Sequence, residues 1–211
     1  MKHVMLDIDG TLIQSQAFDE KCLVDAIYSV TDLQIDSNWG AYPYVTDRGI
    51  LKTFINERGL PYTLQELEQA VKPVFVSNIK EAIENNPVKE IEGAAAFVNH
   101  LLDSPEYIVS VATGGWGESA LLKLQSAGFD TERLVLASSN DHYSRTEIMS
   151  VAQSKADASL RLPITYFGDA AWDVKACDEL NVNLVIVGSK VSHHQQISSF
   201  SPLQRALSFI K

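Results

Sequence analysis

The sequence predicts an α/β protein: a doubly wound parallel sheet interrupted by an all-helical insertion. Three observations carry this. Five short runs, "HVMLDI", "YIVSVA", "RLVLAS", "ITYFGD" and "NLVIVG", are dense in Val, Ile and Leu and do not alternate cleanly, as strands buried on both faces do. Helical stretches separate the last four, as in a sheet with helices on both faces. Between the first run and the second lie roughly 75 to 90 residues, against a usual connection of about 4–6, so that segment must carry structure of its own.

The elements follow in chain order. The opening "KHVMLDIDGT" is a strand ending in two carboxylates, Asp7 and Asp9. The inserted segment, residues 14–89, reads as a helical cap. In "FDEKCLVDAIYSV", Phe18, Leu23, Ala26, Ile27 and Val30 fall at helical spacing. "DRGILKTFINERG" repeats the pattern and stops at Gly59. "TLQELEQAVKPVFVSNIKEAIENN" is a longer helix that Pro73 should kink or split. Residues 1–13 and 90–211 then form the sheet domain. "GAAAFVNHLLD" leads into the second strand, and "GESALLKLQSAGF" leaves it and stops at Gly128. "SRTEIMSVAQSKA" begins with Ser144 and Glu147 at capping-box spacing. "WDVKACDELN" follows the fourth strand, "SHHQQISSFS" reads as a loop, and "PLQRALSFIK" reads as a closing helix.

Bulk composition narrows the function classes. A net charge of -10 argues against a nucleic-acid groove or an anionic membrane as the main partner. No apolar run is long enough to span a bilayer, and the N-terminus lacks a signal-peptide pattern, so a cytoplasmic protein is expected, as monomer or homodimer. Two distant cysteines, Cys22 and Cys177, read as reduced structural thiols. The adjacent His193 and His194 have no third ligand in sequence and read as solvated, and Trp116 and Trp172 read first as packing residues.

Open parallel sheets bind ligands beyond the carboxyl ends of their strands, where the topology reverses. The polar residues at those ends form a set: Asp7, Asp9, Gly10 and Thr11; then Thr113, Gly114 and Gly115; Arg145 at a helix start; and Gly168, Asp169 and Asp173. An Asp-x-Asp at a strand end is, by itself, often a turn with capping carboxylates. The later residues give the pair its weight. An unpaired buried carboxylate is costly, so the cluster calls for a cation or a bound ligand.

"DIDGTL", "VATGG", a basic residue and "GDAAWD", in that order, resemble the four motifs of the haloacid dehalogenase-like hydrolases, and the insertion is similar to that family's C1 cap, as in its phosphoglycolate phosphatase-like members. The resemblance implies a Rossmann-like core. It also implies a Mg²⁺-dependent phosphatase that hydrolyses a small phosphorylated metabolite through an aspartyl-phosphate intermediate. Asp7 would be the nucleophile, Asp9 the general acid and base, and Arg145 the active-site cation, with Lys155 and Arg161 as alternatives further along its helix. Gly10, Thr113 and Gly114 would hold the phosphoryl oxygens. Asp7, Asp169, the Asp9 carbonyl and Asp173 in support would hold Mg²⁺.

Elementary chemistry agrees with this assignment. A carboxylate approaching a phosphate dianion is repelled, and two unit charges at about 4 Å interact by roughly 4 kcal/mol at an effective dielectric near 20. One guanidinium against several negative charges leaves room for a hard divalent cation with oxygen ligands. A sugar-phosphate mutase shares every core motif and stays an alternative. A 2-haloacid dehalogenase needs no metal, and Asp9, Asp169 and Asp173 argue against it. Substrate choice is expected to come from the cap and the loops facing it; the stretch "NWGAYPYVTDR", with Arg48 near Trp39, Tyr42 and Tyr44, reads equally as a substrate-facing surface or as the cap's own small core.

Overall fold

The computed structural model of the protein describes residues 1–159 and 162–211. The alternative cation Arg161 therefore lies outside the described residues. Six strands form one parallel sheet in the order β5-β4-β1-β6-β7-β8. They are β1 (Lys2–Leu6), β4 (Tyr107–Ala112), β5 (Val135–Ala137), β6 (Ile164–Gly168), β7 (Asn183–Val187) and β8 (Gln196–Ile197). The chain goes from β1 to β4 and β5 on one side, then returns to β6 and β7 on the other. The winding thus reverses at β1, and the ends of β1, β4 and β6 adjoin at that point.

Both faces of the sheet are covered, which is why its strands do not alternate. Val4 and Leu6 of β1 face a core formed with α4 (Ala94–Asp103), α5 (Gly117–Ser126) and α8 (Leu203–Leu207). There Phe97 meets Phe167 and Phe200 at ring-centroid distances of 5.2 and 4.7 Å. Met5 points the other way, toward α6 (Arg145–Ala156) and α7 (Ala171–Leu180), where it joins Ile148, Met149, Tyr166 and Cys177. Both cysteines are free and buried.

The inserted segment contains α1 (Gln16–Thr31), α2 (Asp47–Arg58) and α3 (Leu64–Asn85). They share an apolar core of their own, built from Leu23, Ile27, Leu51, Phe54, Val71 and Phe75 among others. Thr46 caps α2 by accepting from the Gly49 amide at 2.9 Å, and Gly59 ends it at φ 59°. Thr63 and Glu66 form a capping box at the start of α3. The two ends of the segment meet in a ribbon, β2 (Ile13–Gln14) pairing antiparallel with β3 (Lys89–Glu90). Trp116, which immediately precedes α5, is fully buried in the insertion's apolar core, 5.4 Å from Phe75 between ring centroids. It ties the helices to the sheet.

Several local expectations are corrected. Pro73 does not split α3. It sits on the exposed side, so the Gln69 carbonyl it leaves without a helical donor can bond water. Ser144 does not form the expected capping box. Its hydroxyl lies 2.9 Å from that of Thr146, one residue before Glu147. The stretch "SHHQQISSFS" contributes the edge strand β8, because Gln196 and Ile197 continue the sheet beside Ile186 and Val187.

The sheet core should carry the stability of this architecture. Phe97→Ala removes a ring fully enclosed by two others and is expected to cost about 3–5 kcal/mol. Tyr28→Ala, on the outer face of α1, should change stability by about 0.5 kcal/mol or less. Urea unfolding of the two variants beside the parent checks this, and equal losses would mean that the ring cluster is not where the stability resides.

Candidate active site

The site begins with the turn after β1. The Ile8 carbonyl accepts from the amides of Thr11, Leu12 and Ile13, closing a tight loop whose Gly10 has φ 85°. A Cβ at Gly10 would run into Gln16 and Asp169, so the position requires glycine twice over. This turn carries Asp7 inward and buries it, with 3% of its surface exposed.

Among the described residues, Arg145 is the cation that reaches Asp7. Its Nη1 lies 3.3 Å from Asp7 Oδ1, 3.0 Å from Asp173 Oδ1 and 3.3 Å from the Tyr166 hydroxyl. Lys155 lies elsewhere, bonding the Leu136 carbonyl and Asp141. Asp173 is fully buried and fully engaged. Besides Arg145 it accepts from Tyr166 at 3.1 Å, and its Oδ2 accepts from the amides of Asp169 and Ala170, each at 3.1 Å. It thus anchors the guanidinium and caps the first turn of α7 at once.

Asp169 accepts at Oδ2 from Gln16 at 2.8 Å and Lys190 at 2.7 Å. Its Oδ1 is buried with no partner among the described residues. Carboxylate oxygens of Asp7, Asp169 and Asp173 lie within 4.8 Å of one another. Burial and the neighbouring Asp173 push the Asp7 carboxyl well above the usual carboxylate range, against the pull of Arg145. Burial raises Asp169 too, against Lys190. Three crowded carboxyls with one orphaned oxygen are a donor set that fits a hard divalent cation, which would hold them ionised.

The other side of the site is built around a buried lysine. Lys123 is fully buried in α5, 2.6 Å from Asp9 Oδ1 and hydrogen-bonded to Asp19 of α1. Burial opposes its charge, but Asp19 and Asp9 more than compensate and raise its pKa. Burial in turn pushes Asp19 up to about 6 despite Lys123. Ser15 also donates to Asp9 Oδ1. Thr113 is buried beside these groups, and its Oγ1 accepts from the Gly115 amide at 3.1 Å. The Gly114 carbonyl accepts from the Asp47 amide at 2.8 Å, and a Cβ at Gly114 would meet Arg145 and the Val45 carbonyl.

The structure therefore brings together the eight residues to which the sequence reading gives a site role: Asp7, Asp9, Gly10, Thr113, Gly114, Arg145, Asp169 and Asp173. It adds Gln16, Asp19, Asp47, Lys123 and Lys190, which the sequence reading missed. Lys190 follows β7, the strand beside β6, so strand-end logic reaches it. Lys123 shares a buried stripe with Ala120 and Leu124, and a lysine on an apolar face announces a buried partner. Two expectations are corrected. Arg48 does not line the cavity; its guanidinium lies 3.0 Å from Glu68, because the first turn of α2 directs it toward α3. Trp172 is no simple packing residue but lines the cavity.

No protein-family model and no curated protein sequence matches the chain. Solved structures do. CbbY from Rhodobacter sphaeroides in complex with phosphate is similar at TM-score 0.72 and 13% identity, with 96% of each chain covered. A β-phosphoglucomutase from Clostridium difficile is similar at TM-score 0.70 and 12% identity, covering 99% of this chain and 96% of the other. A HAD hydrolase of family IA, variant 3, from Entamoeba histolytica is similar at TM-score 0.69 and 12% identity, with 99% of each covered. At these identities the likeness is one of fold: the chain has the haloacid dehalogenase-like hydrolase fold.

The lysine network generates a stability prediction. Lys123→Met leaves two carboxylates facing each other without their cation and should cost about 3–5 kcal/mol. Adding Asp19→Asn should recover part of that loss. Unpaired carboxyls have folded-state pKa values above their unfolded ones, so their contribution is favourable at low pH and is lost as pH rises through the folded value. The deficit of Lys123→Met should therefore grow between about pH 5 and about pH 8. Urea titrations at the two pH values test this, and a deficit independent of pH would show that the loss comes from packing.

Proposed function

We propose that the protein is a Mg²⁺-dependent phosphatase acting on a small phosphorylated metabolite through an aspartyl-phosphate intermediate. The observation that carries the reading is Asp7: a buried carboxylate at the topological switch, gripped by one guanidinium and crowded by two further carboxyls. A structural carboxylate needs no such company. A nucleophile that must meet a phosphate does.

In the proposed reaction an Asp7 carboxylate oxygen attacks phosphorus, and the bond from phosphorus to the ester oxygen breaks. Asp9 gives its proton to the departing oxygen. Its Oδ1 is held by Lys123 and Ser15, and the side chain lines the cavity, which orients it for that transfer. Asp9 then takes a proton from water as the water oxygen attacks the acyl phosphate. The bond between phosphorus and the Asp7 oxygen breaks, releasing inorganic phosphate and restoring the carboxylate. Arg145, fixed by Asp173 and Tyr166, stabilises the transferring phosphoryl group, and Thr113 with the amides after it supplies further donors. Mg²⁺ held by Asp7, Asp169 and the Asp9 carbonyl, with Asp173 in support, would supply Lewis-acid charge neutralisation. Residues 14–89 are proposed to act as a cap, excluding water over the strand ends.

A mutase reading is favoured by the fold likeness to β-phosphoglucomutase and differs only in the fate of the acyl phosphate. Transfer to a sugar hydroxyl instead of water would distinguish it.

Asp7→Asn should abolish turnover of p-nitrophenyl phosphate, by more than the roughly 10²–10³ typical of losing one transition-state donor, while the protein stays folded. Arg145→Ala should be far more damaging than Lys155→Ala. Steady-state kinetics with circular dichroism of each variant checks both. Near-parental rates in folded Asp7→Asn protein would end the covalent reading, and a severe Lys155→Ala would reassign the cation.

A further inference from the structure

The cavity at the strand ends encloses about 270 Å³, enough for a small molecule. Its base holds the two cations Arg145 and Lys190. Its roof comes from the insertion, as Asp19, Glu20, Leu23, Trp39, Asp47 and Ile50. Among the described residues, no lysine or arginine of the insertion lines it. Four of those side chains are engaged elsewhere. Arg48 pairs with Glu68, Lys52 sits 3.6 Å over the Tyr143 ring, Lys72 bonds Glu118 at 2.7 Å, and Lys21 pairs with Asp25. Lys123, which reaches Asp19 from α5, is already shared by Asp9 and Asp19.

This distribution speaks to the part of the substrate beyond the phosphate. A second phosphate or a carboxylate there would face the Glu20 carboxylate and the two buried acids Asp19 and Asp47, with no lysine or arginine of the insertion beside them, and repulsion of that kind costs binding. A neutral group would leave the buried Asp47, whose carboxyl is held by burial well above the usual carboxylate range, without a compensating charge. Asp47 is only 6% exposed, and its Oδ2 has a single backbone donor, the Trp116 amide at 2.8 Å. Indoles complete the lining. Trp39 donates from Nε1 to Glu20 at 2.8 Å, so an aromatic ring and a carboxylate are presented side by side, and Trp172 of α7 lines the same space. Carboxylate plus indole is the combination that receives an ammonium group.

We propose that the substrate is the phosphate ester of an amino alcohol, its phosphate directed to Arg145 and Lys190 and its ammonium to Glu20, Asp47 and the indoles of Trp39 and Trp172. The inference rests on the phosphatase reading above and names the substrate class of that same site.

Three small esters that differ in the charge of the leaving group test it: phosphoethanolamine, glycerol phosphate and phosphoglycolate, with p-nitrophenyl phosphate as the reference. The expected order of kcat/KM is ammonium, then hydroxyl, then carboxylate. The first should exceed the last by about tenfold or more, as one screened ion pair and one cation–π contact would give. Glu20→Lys should compress or reverse the ratio between the charged esters, and Glu20→Gln should narrow it. Because each ratio is taken within one protein, incomplete folding of a variant does not affect it. Equal or inverted preference in the parent protein overturns the inference, as does failure to hydrolyse any of the three while p-nitrophenyl phosphate is turned over. Failure on p-nitrophenyl phosphate itself would defeat the phosphatase reading, and the inference with it.

Discussion

The arrangement of the site depends on one constraint: Asp7, Asp169 and Asp173 must share a buried space. Such crowding is stable only if positive charge enters it. Arg145 supplies one charge from the start of α6 and Lys190 a second from beyond β7, and each arrives from a different strand connection. The placement of these side chains explains local details. Asp173 sits in the first turn of α7 because it can accept two amides there while its other oxygen holds the guanidinium. Gly10 and Gly114 are glycines because Asp169 and Arg145 occupy the volume a side chain would need.

A second charged cluster joins the sheet to the insertion. Lys123 reaches from α5 to Asp9 of the β1 loop and Asp19 of α1, so one buried ammonium contacts both parts of the molecule. Trp116 makes the apolar counterpart of that link through Phe75 and donates from Nε1 to Glu68. The helices of the insertion are therefore registered against the strand ends by a charge and a ring that both come from the segment after β4. That registration sets the roof of the cavity directly over Asp7 and Arg145.

Much of this was legible in the sequence, for physical reasons. Doubly buried strands cannot alternate, so the Val- and Ile-rich runs showed the parallel sheet, and Leu23, Ala26 and Ile27 fell at helical spacing because the insertion has its own core. Asp7, Asp9, Asp169 and Asp173 were visible because carboxylates at the ends of apolar strands are costly without a purpose. Side-chain direction was less legible. Arg48 stood in an aromatic stretch that contributes Trp39 to the cavity, yet a fraction of a helical turn sends its guanidinium to Glu68. Lys123 was missed because its burial comes from the packing of α5, where it shares the inward face with Ala120 and Leu124. Pro73 looked like a break because propensity has no knowledge of which carbonyl meets solvent.

The central claim is that the carboxyl cluster is incomplete without a divalent cation, with the orphaned Asp169 Oδ1 as its clearest sign. Thermal unfolding with and without Mg²⁺, in the parent protein and in Asp169→Asn, tests this most directly. A cation that binds only the folded state stabilises it by about 2.7 kcal/mol at a hundredfold excess over its dissociation constant. The account predicts a clear upward shift of Tm with Mg²⁺ in the parent and its loss in Asp169→Asn. An unchanged Tm in the parent, or an equal shift in both proteins, would contradict it.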